Sequence, residues 1–251
     1  MLSLQMQDLG ASYGAKQALS GVCSPPLKGG ELVAVIGPNA AGKSTLFKRM
    51  AGLLPGPGQL RLEGSRRGQQ AIVYLPQDNS ASPALTVYES ILLACKQGSG
   101  RWQVSAEELA LIDETLASLG IAELAFRQLG ELSGGQRQLA SIAQTLVRKP
   151  EVLLLDEPTS ALDLHRQLQV LALLRELARQ RGLLIFIAIH DLNQALRFAD
   201  QTLVLAQGRH CACGPSKAVI CASMLREIYQ LSARVEPCSQ GSLQVIVDGM
   251  A

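Results

Sequence analysis

Aromatic side chains are scarce, at 4% of 251 residues, too few for the base-stacking platform of a single-stranded nucleic-acid binder. An excess of charge of one sign is missing as well. Lys+Arg 23 against Asp+Glu 21 leaves a formal net charge of +2, which argues against a dedicated nucleic-acid partner or a polybasic membrane patch. Long hydrophobic runs are absent too: the longest, Leu183–Ile189, is about a third of the ~20 residues that span a bilayer. The first residues, Met1 to Asp8, lack a basic segment and include an acid, so they do not read as a secretory signal. In that setting the six cysteines (Cys23, Cys95, Cys211, Cys213, Cys221 and Cys238) read as free thiols and not as a disulfide framework. Cys211, Cys213 and Cys221, with His210 beside them, match no standard zinc spacing.

What is present is a globular pattern with 47% hydrophobic residues, too many for a disordered chain. Five short apolar runs, Leu32–Ile36, Ala71–Leu75, Val152–Leu155, Leu183–Ile189 and Thr202–Leu205, read as buried parallel strands. Leu109, Ile112, Leu116 and Leu119 recur at helical spacing, as do Leu164, Leu168, Leu171 and Leu174. Leu4–Asp8 and Gln59–Glu63 look like antiparallel edge strands. The stretch from Pro83 to Gly130 reads as a helical insertion with a Gly/Ser-rich break at Gln97–Gly100. A short helix near Met224–Tyr229 and a strand at Leu243–Val247 follow. The expected fold class is α/β, with a mostly parallel sheet, an antiparallel β edge and a helical insertion. The whole of 1–251 reads as one domain. Its core takes 1–82 and 150–213, the helical part 83–149, and a C-terminal extension 214–251.

The chemistry lies in three motifs. Gly37-Pro38-Asn39-Ala40-Ala41-Gly42-Lys43-Ser44-Thr45 fits G-x-x-x-x-G-K-[ST] directly after a strand. Such a loop curls backbone N–H groups around phosphates, and the following helix aims its positive end at them. Lys43 would reach the β- and γ-phosphates and the Ser44 hydroxyl would ligate Mg²⁺. Next, the strand Val152–Leu155 runs into Asp156 and Glu157. One carboxylate there can hold Mg²⁺ through water while the next orients a water for attack on a γ-phosphate. Third, Leu132-Ser133-Gly134-Gly135-Gln136 opens a helical pattern through Leu146. A Ser and two glycines at a helix start make a second anion-binding nest, which a single nucleotide loop does not need. A nest that caps the γ-phosphate held by another copy explains it; a helix start with Ser133 as its N-cap is the alternative.

In this order the motifs resemble the ATPase subunits of ATP-binding-cassette (ABC) transporters, over essentially residues 1–210. The resemblance implies the ABC ATPase fold, a P-loop NTPase core with antiparallel β and helical subdomains. It also implies ATP and Mg²⁺ as cofactors and assigns roles to single residues. Tyr13 would stack on adenine. Gln77 would sense Mg²⁺ and the attacking water and contact the membrane partner. Glu157 would be the catalytic glutamate, Asp163 would close the loop that communicates across a dimer, and His190 would be the switch histidine. The implied partners are a second copy in a head-to-tail sandwich, transmembrane permease subunits and, indirectly, a substrate-binding protein, with no nucleic acid. In the sandwich each ATP would touch Lys43 and Ser44 of one copy and Ser133 and Gly135 of the other. The implied location is peripheral, on the cytoplasmic side of the bacterial inner membrane.

Three positions depart from the family pattern. Ala40 stands where Gly is frequent, and an alanine is accommodated there if φ is negative. Leu139 and Gln144 stand in the signature helix where many relatives carry Arg. The segment from His190 to Asp200 and the compact ending are similar to importers of iron–siderophore complexes, haem and cobalamin. Iron chelates are the expected cargo. Zinc, manganese, cobalamin and haem importers, exporters, and a soluble ABC ATPase of nucleic-acid metabolism are the alternatives.

Overall fold

The computed structural model describes residues 1–77, 84–97 and 103–251. The first part of the chain forms β1 (Ser3–Gln7), β2 (Leu9–Tyr13), β3 (Lys16–Val22), β4 (Leu27–Lys28), β5 (Leu32–Ile36), α1 (Lys43–Met50), β6 (Gln59–Glu63) and β7 (Ile72–Leu75). A helical stretch follows with α2 (Val87–Lys96), α3 (Ala106–Ser118) and α4 (Gly134–Leu146). The chain then returns to the sheet through β8 (Val152–Leu155), α5 (Leu164–Arg181), β9 (Leu184–Ala188), α6 (Leu192–Phe198), β10 (Gln201–Ala206) and β11 (Arg209–Pro215). It ends in α7 (Ser216–Val219), α8 (Ala222–Tyr229), β12 (Leu231–Pro237) and β13 (Leu243–Met250).

A strand covered on both faces needs apolar residues at every position, and the central strands meet that condition. All five residues of β5 are buried. Leu32, Ala34 and Ile36 enter one apolar layer, and Val33 and Val35 enter the other. In β8 and β9 residues alternate between the same two layers. The main sheet has the order β2-β3-β11-β10-β5-β9-β8-β7, with β10, β5, β9, β8 and β7 parallel. Helices α2 to α6 and α8 cover one face; α1 and the small sheet β4-β1-β6 cover the other. Each fully buried Leu, Ile or Phe contributes roughly 1.5–3 kcal/mol over exposure. That burial holds the strand ends rigidly enough to carry polar groups beyond them. Four neighbouring strands do so: the P-loop follows β5, Gln77 follows β7, Asp156 follows β8 and His190 follows β9. Such a row of carboxyl ends is where open parallel sheets bind ligands.

The five expected parallel strands are all present, with small shifts at their ends. Ala71 belongs to a 3₁₀ turn (Gly68–Ala71), and Leu183 and Ile189 flank β9 rather than extend it. β1 and β6 pair antiparallel from Ser3↔Glu63 to Gln7↔Gln59, but only β6 is an edge strand as expected; β1 also pairs with β4 and is the middle strand of the small sheet. Asp8 is not part of β1; its left-handed φ of 54° turns the chain into β2. The apolar stripe of α5 begins after Leu164, which is the first helical residue and stays exposed. The break expected at Gln97–Gly100 lies, from residue 98 on, outside the described residues, as does the boundary at Pro83. The final strand runs on to Met250 and pairs with β12, which the apolar pattern did not announce.

Candidate functional site

The P-loop is shaped by glycines that no other residue replaces without strain. Gly37 has φ 151°, and a Cβ there would sit 2.1 Å from the Leu205 carbonyl oxygen. Gly42 has φ 104° and ends the loop at the start of α1. Ala40 departs from expectation: its φ is +60°, in the left-handed region. The loop therefore tolerates alanine here against its preference, not because φ is negative. Lys43 folds back over the loop and donates to the carbonyl oxygens of Gly37 (3.0 Å) and Pro38 (3.4 Å). Burial pulls the Lys43 ammonium pKa below its ordinary value, while Glu157 and Asp156 act the other way. Asn39, Ala40, Ala41, Gly42, Lys43, Ser44 and Thr45 line a cleft of about 730 Å³ together with Gln77, Glu157 and His190.

Asp156 is almost fully buried beneath that cleft. Its Oδ2 accepts a hydrogen bond from the Tyr74 hydroxyl at 3.1 Å, and its Oδ1 has no partner within hydrogen-bond geometry. Burial raises its pKa, with the hydroxyls of Ser44 and Tyr74 working against that rise. A buried carboxylate oxygen without a donor, beside a serine hydroxyl, is the hard-oxygen donor set that a Mg²⁺ ion accepts. Tyr74 is one residue that sequence reasoning missed. It packs edge-on against Phe47 of α1 at 6.3 Å, so one ring ties α1, β7 and the end of β8 together. Its one trace in the sequence is a polar-tipped aromatic inside an otherwise apolar strand.

Glu157 joins the separate motifs. Its Oε2 accepts from Gln77 Nε2 at 2.9 Å, and its Oε1 lies 2.5 Å from His190 Nε2. Glu157 itself has φ 51°, a left-handed conformation held by Ser160, whose N–H and hydroxyl both donate to the Glu157 carbonyl (3.2 and 3.0 Å). Backbone strain of this kind is retained where the surroundings over-determine it, and it clusters at reactive centres. A carboxylate gripped by an amide and an imidazole at the lip of a phosphate cradle can orient a water molecule and accept its proton.

The third motif stands apart. Ser133 caps α4 by accepting from the Gln136 N–H at 3.3 Å, while Gln136 Oε1 accepts from the Ser133 N–H at 3.1 Å. The cap is therefore made, and Ser133 stays exposed at the helix start. Gly134 and Gly135 lie flush against the loop after Glu157, where a Cβ on Gly135 would come 2.9 Å from Leu162 Cδ2. Ser133, Gly134, Gly135, Gln136 and Asp163 share a second cleft of about 350 Å³ that has no lining residue in common with the first. Tyr13 lines neither cleft among the described residues; it sits half-exposed at the end of β2, opposite Lys16. Leu139 is buried in the apolar layer and Gln144 half-buried, so α4 packs by apolar contact where an Arg at 139 would need a partner.

Comparison with known proteins bears on this arrangement. The ABC transporter family model matches residues 23–160. The petrobactin import ATP-binding protein of Bacillus anthracis is 36% identical over 220 residues, covering 83% of this chain and 80% of that protein. The iron(3+)-hydroxamate import ATP-binding protein of Bacillus subtilis is 34% identical over 244 residues, covering 94% and 90%. Among solved structures, a chain from a transporter described as metal-chelate type, in an inward-facing conformation, superposes with a TM-score of 0.85. It shares 27% identity and the match covers 100% of this chain and 98% of that one. The segment from the P-loop to Glu157 lies wholly inside the family match, and on these grounds the chain belongs to the ABC transporter family as an ATP-binding subunit.

Proposed function

We propose that the chain is the ATP-hydrolysing subunit of an importer for an iron–siderophore complex or a related metal chelate. The observation that carries the hydrolytic part is the Glu157 carboxylate held between Gln77 and His190 on the rim of the Lys43 cradle. In this reading the loop Gly37–Thr45 binds the triphosphate through its N–H groups, with Lys43 leaving the Gly37 and Pro38 carbonyls to reach the phosphates. Ser44, Asp156 and Gln77 would hold Mg²⁺, which when bound neutralises developing charge on the phosphates. Glu157 polarises the attacking water and His190 keeps it in line. Tyr13, exposed on its hairpin, stacks on the adenine.

The two clefts share no lining residue, which supports a head-to-tail pair in which Ser133, Gly134, Gly135, Gln136 and Asp163 of one copy complete the site of the other. Residues 83–149 form the helical part that works against the core at 1–82 and 150–213, and 214–251 is an extension. Permease subunits supply the membrane path and a binding protein delivers the cargo. Among the described residues no helix is long and apolar enough to cross a membrane; the likeness to import ATP-binding proteins supports a peripheral place on the cytoplasmic face. The names of the siderophore-import relatives support the cargo. Replacing the water-positioning group is expected to cost at least ~10² in turnover. Glu157→Gln should therefore bind ATP normally and hydrolyse it at under about 1% of the wild-type rate, and rapid hydrolysis by that variant would overturn the reading.

A further inference from the structure

Helix α6 begins two residues after His190 and is seven residues long, too short to hold its place by helix propensity alone. Its first turn is tied down by side chains. Asp191 accepts from the N–H groups of Asn193 (2.8 Å) and Gln194 (3.2 Å). Asn193 pairs with an edge position of β13, accepting from the Val245 N–H at 2.7 Å and donating to its carbonyl at 3.4 Å. Gln194 turns inward. It is 6% exposed, and its Nε2 donates to Gln167 Oε1 on α5 at 2.7 Å.

Gln167 carries the connection onward. Its Nε2 donates to two backbone carbonyls, Thr159 at 3.1 Å and Leu162 at 3.0 Å. That pattern settles the orientation of both amides. Two carbonyls demand the NH₂ end of Gln167, so its oxygen faces Gln194, and Gln194 must present its own NH₂. Thr159 is two residues beyond Glu157, and Leu162 supports Gly135 in the second cleft. With the His190–Glu157 contact at 2.5 Å, the chain of contacts closes on itself, from His190 through α6, Gln194, Gln167 and Thr159 back to Glu157.

We propose that Gln194 and Gln167 are positioning residues, a linked amide pair, Gln194 buried and Gln167 half-buried, that locks the His190-bearing turn to the 159–162 loop and so sets Glu157 against His190. The proposal rests on the hydrolytic reading above. The link is rigid because the Gln194 NH₂ group is buried, and leaving a buried donor unmet costs its desolvation. A sub-ångström shift of a water-positioning carboxylate is felt in the chemical step more than in nucleotide binding.

The test uses the purified full-length chain with Mg·ATP, comparing Gln194→Met, Gln167→Leu and the double variant by steady-state hydrolysis and thermal unfolding. Each single change is expected to lower kcat about tenfold with KM for ATP within about twofold of wild type. The double variant is expected to be no slower than the slower single, because both act through one link. A folded Gln194→Met with wild-type kcat, or a double variant whose loss is the product of the two, would overturn the proposal. Should Gln167→Leu fail to fold, Gln194→Met is read alone, since it leaves the bonds of Gln167 to the loop in place. Glu157→Gln runs alongside. Wild-type turnover there would sink the hydrolytic reading and this proposal together, while its loss beside an unaffected Gln194→Met sinks this proposal alone.

Discussion

At Ala40 the backbone has φ +60°, a region that costs an L-residue roughly 1–2 kcal/mol. Glycine would relieve that strain but lose more entropy on folding, so Ala40→Gly is expected to stabilise the nucleotide-free chain by up to about 1 kcal/mol. Urea unfolding checks this, and an unchanged or lower midpoint would rule the strain out. The same scale shows where reading residues in order succeeds. Gly37 to Thr45 carry their meaning in contiguous sequence, because a phosphate loop is a local conformation with local glycine requirements. Tyr74, Gln167 and Gln194 were silent by the same logic. Their partners, Asp156, Thr159 and Leu162, are on other elements, and nothing in an isolated Tyr or Gln states which chain segment will face it.

Among the elements, α4 illustrates how one residue can serve two purposes. Ser133 and Gln136 form a reciprocal cap, and removing the serine oxygen leaves a helix-start N–H unmet. Ser133→Ala is expected to cost about 1 kcal/mol in stability without nucleotide, measured by denaturant midpoint. A null effect would mean that water satisfies the Gln136 N–H equally well. The strands divide along physical lines. The central five were legible because burial on both faces forces unbroken apolar runs. β2, β3 and β11 were not, since they carry Gly, Ser and Cys between apolar residues and their pairing slips register at Leu9/Ala11, Ala11/Ser12 and Val204/Leu205. β12 was hidden for a related reason: half-exposed positions interleave with Arg234, Glu236 and Pro237.

Across the whole molecule, the last residues return to the first motif. Tyr229 at the end of α8 packs on the main apolar layer, and its hydroxyl hydrogen-bonds to the backbone of Gly37. Burial outweighs that bond and pushes the phenol from 10.0 up to about 12. The folded state therefore keeps this proton where the unfolded chain has released it. The stability that this burial contributes is intact below about pH 10 and is lost as pH rises from there toward 12. Tyr229→Phe should flatten that alkaline decline, which unfolding midpoints between pH 9 and about 12 would report; identical slopes in both proteins would place Tyr229 in solvent-like surroundings. What the sequence determined by itself were the local things: the phosphate loop, the acid pair after β8, the capped signature helix and the apolar runs of the sheet. Each follows from conformational demands on neighbouring residues. Only the tertiary structure decided that Gln77, Glu157 and His190 meet, that the signature glycines face a different cleft from the phosphate loop, and that two glutamines bind α6 to the loop after Glu157. Those are contacts between segments far apart in the chain, and the sheet order that sets β5, β9, β8 and β7 side by side brings them about.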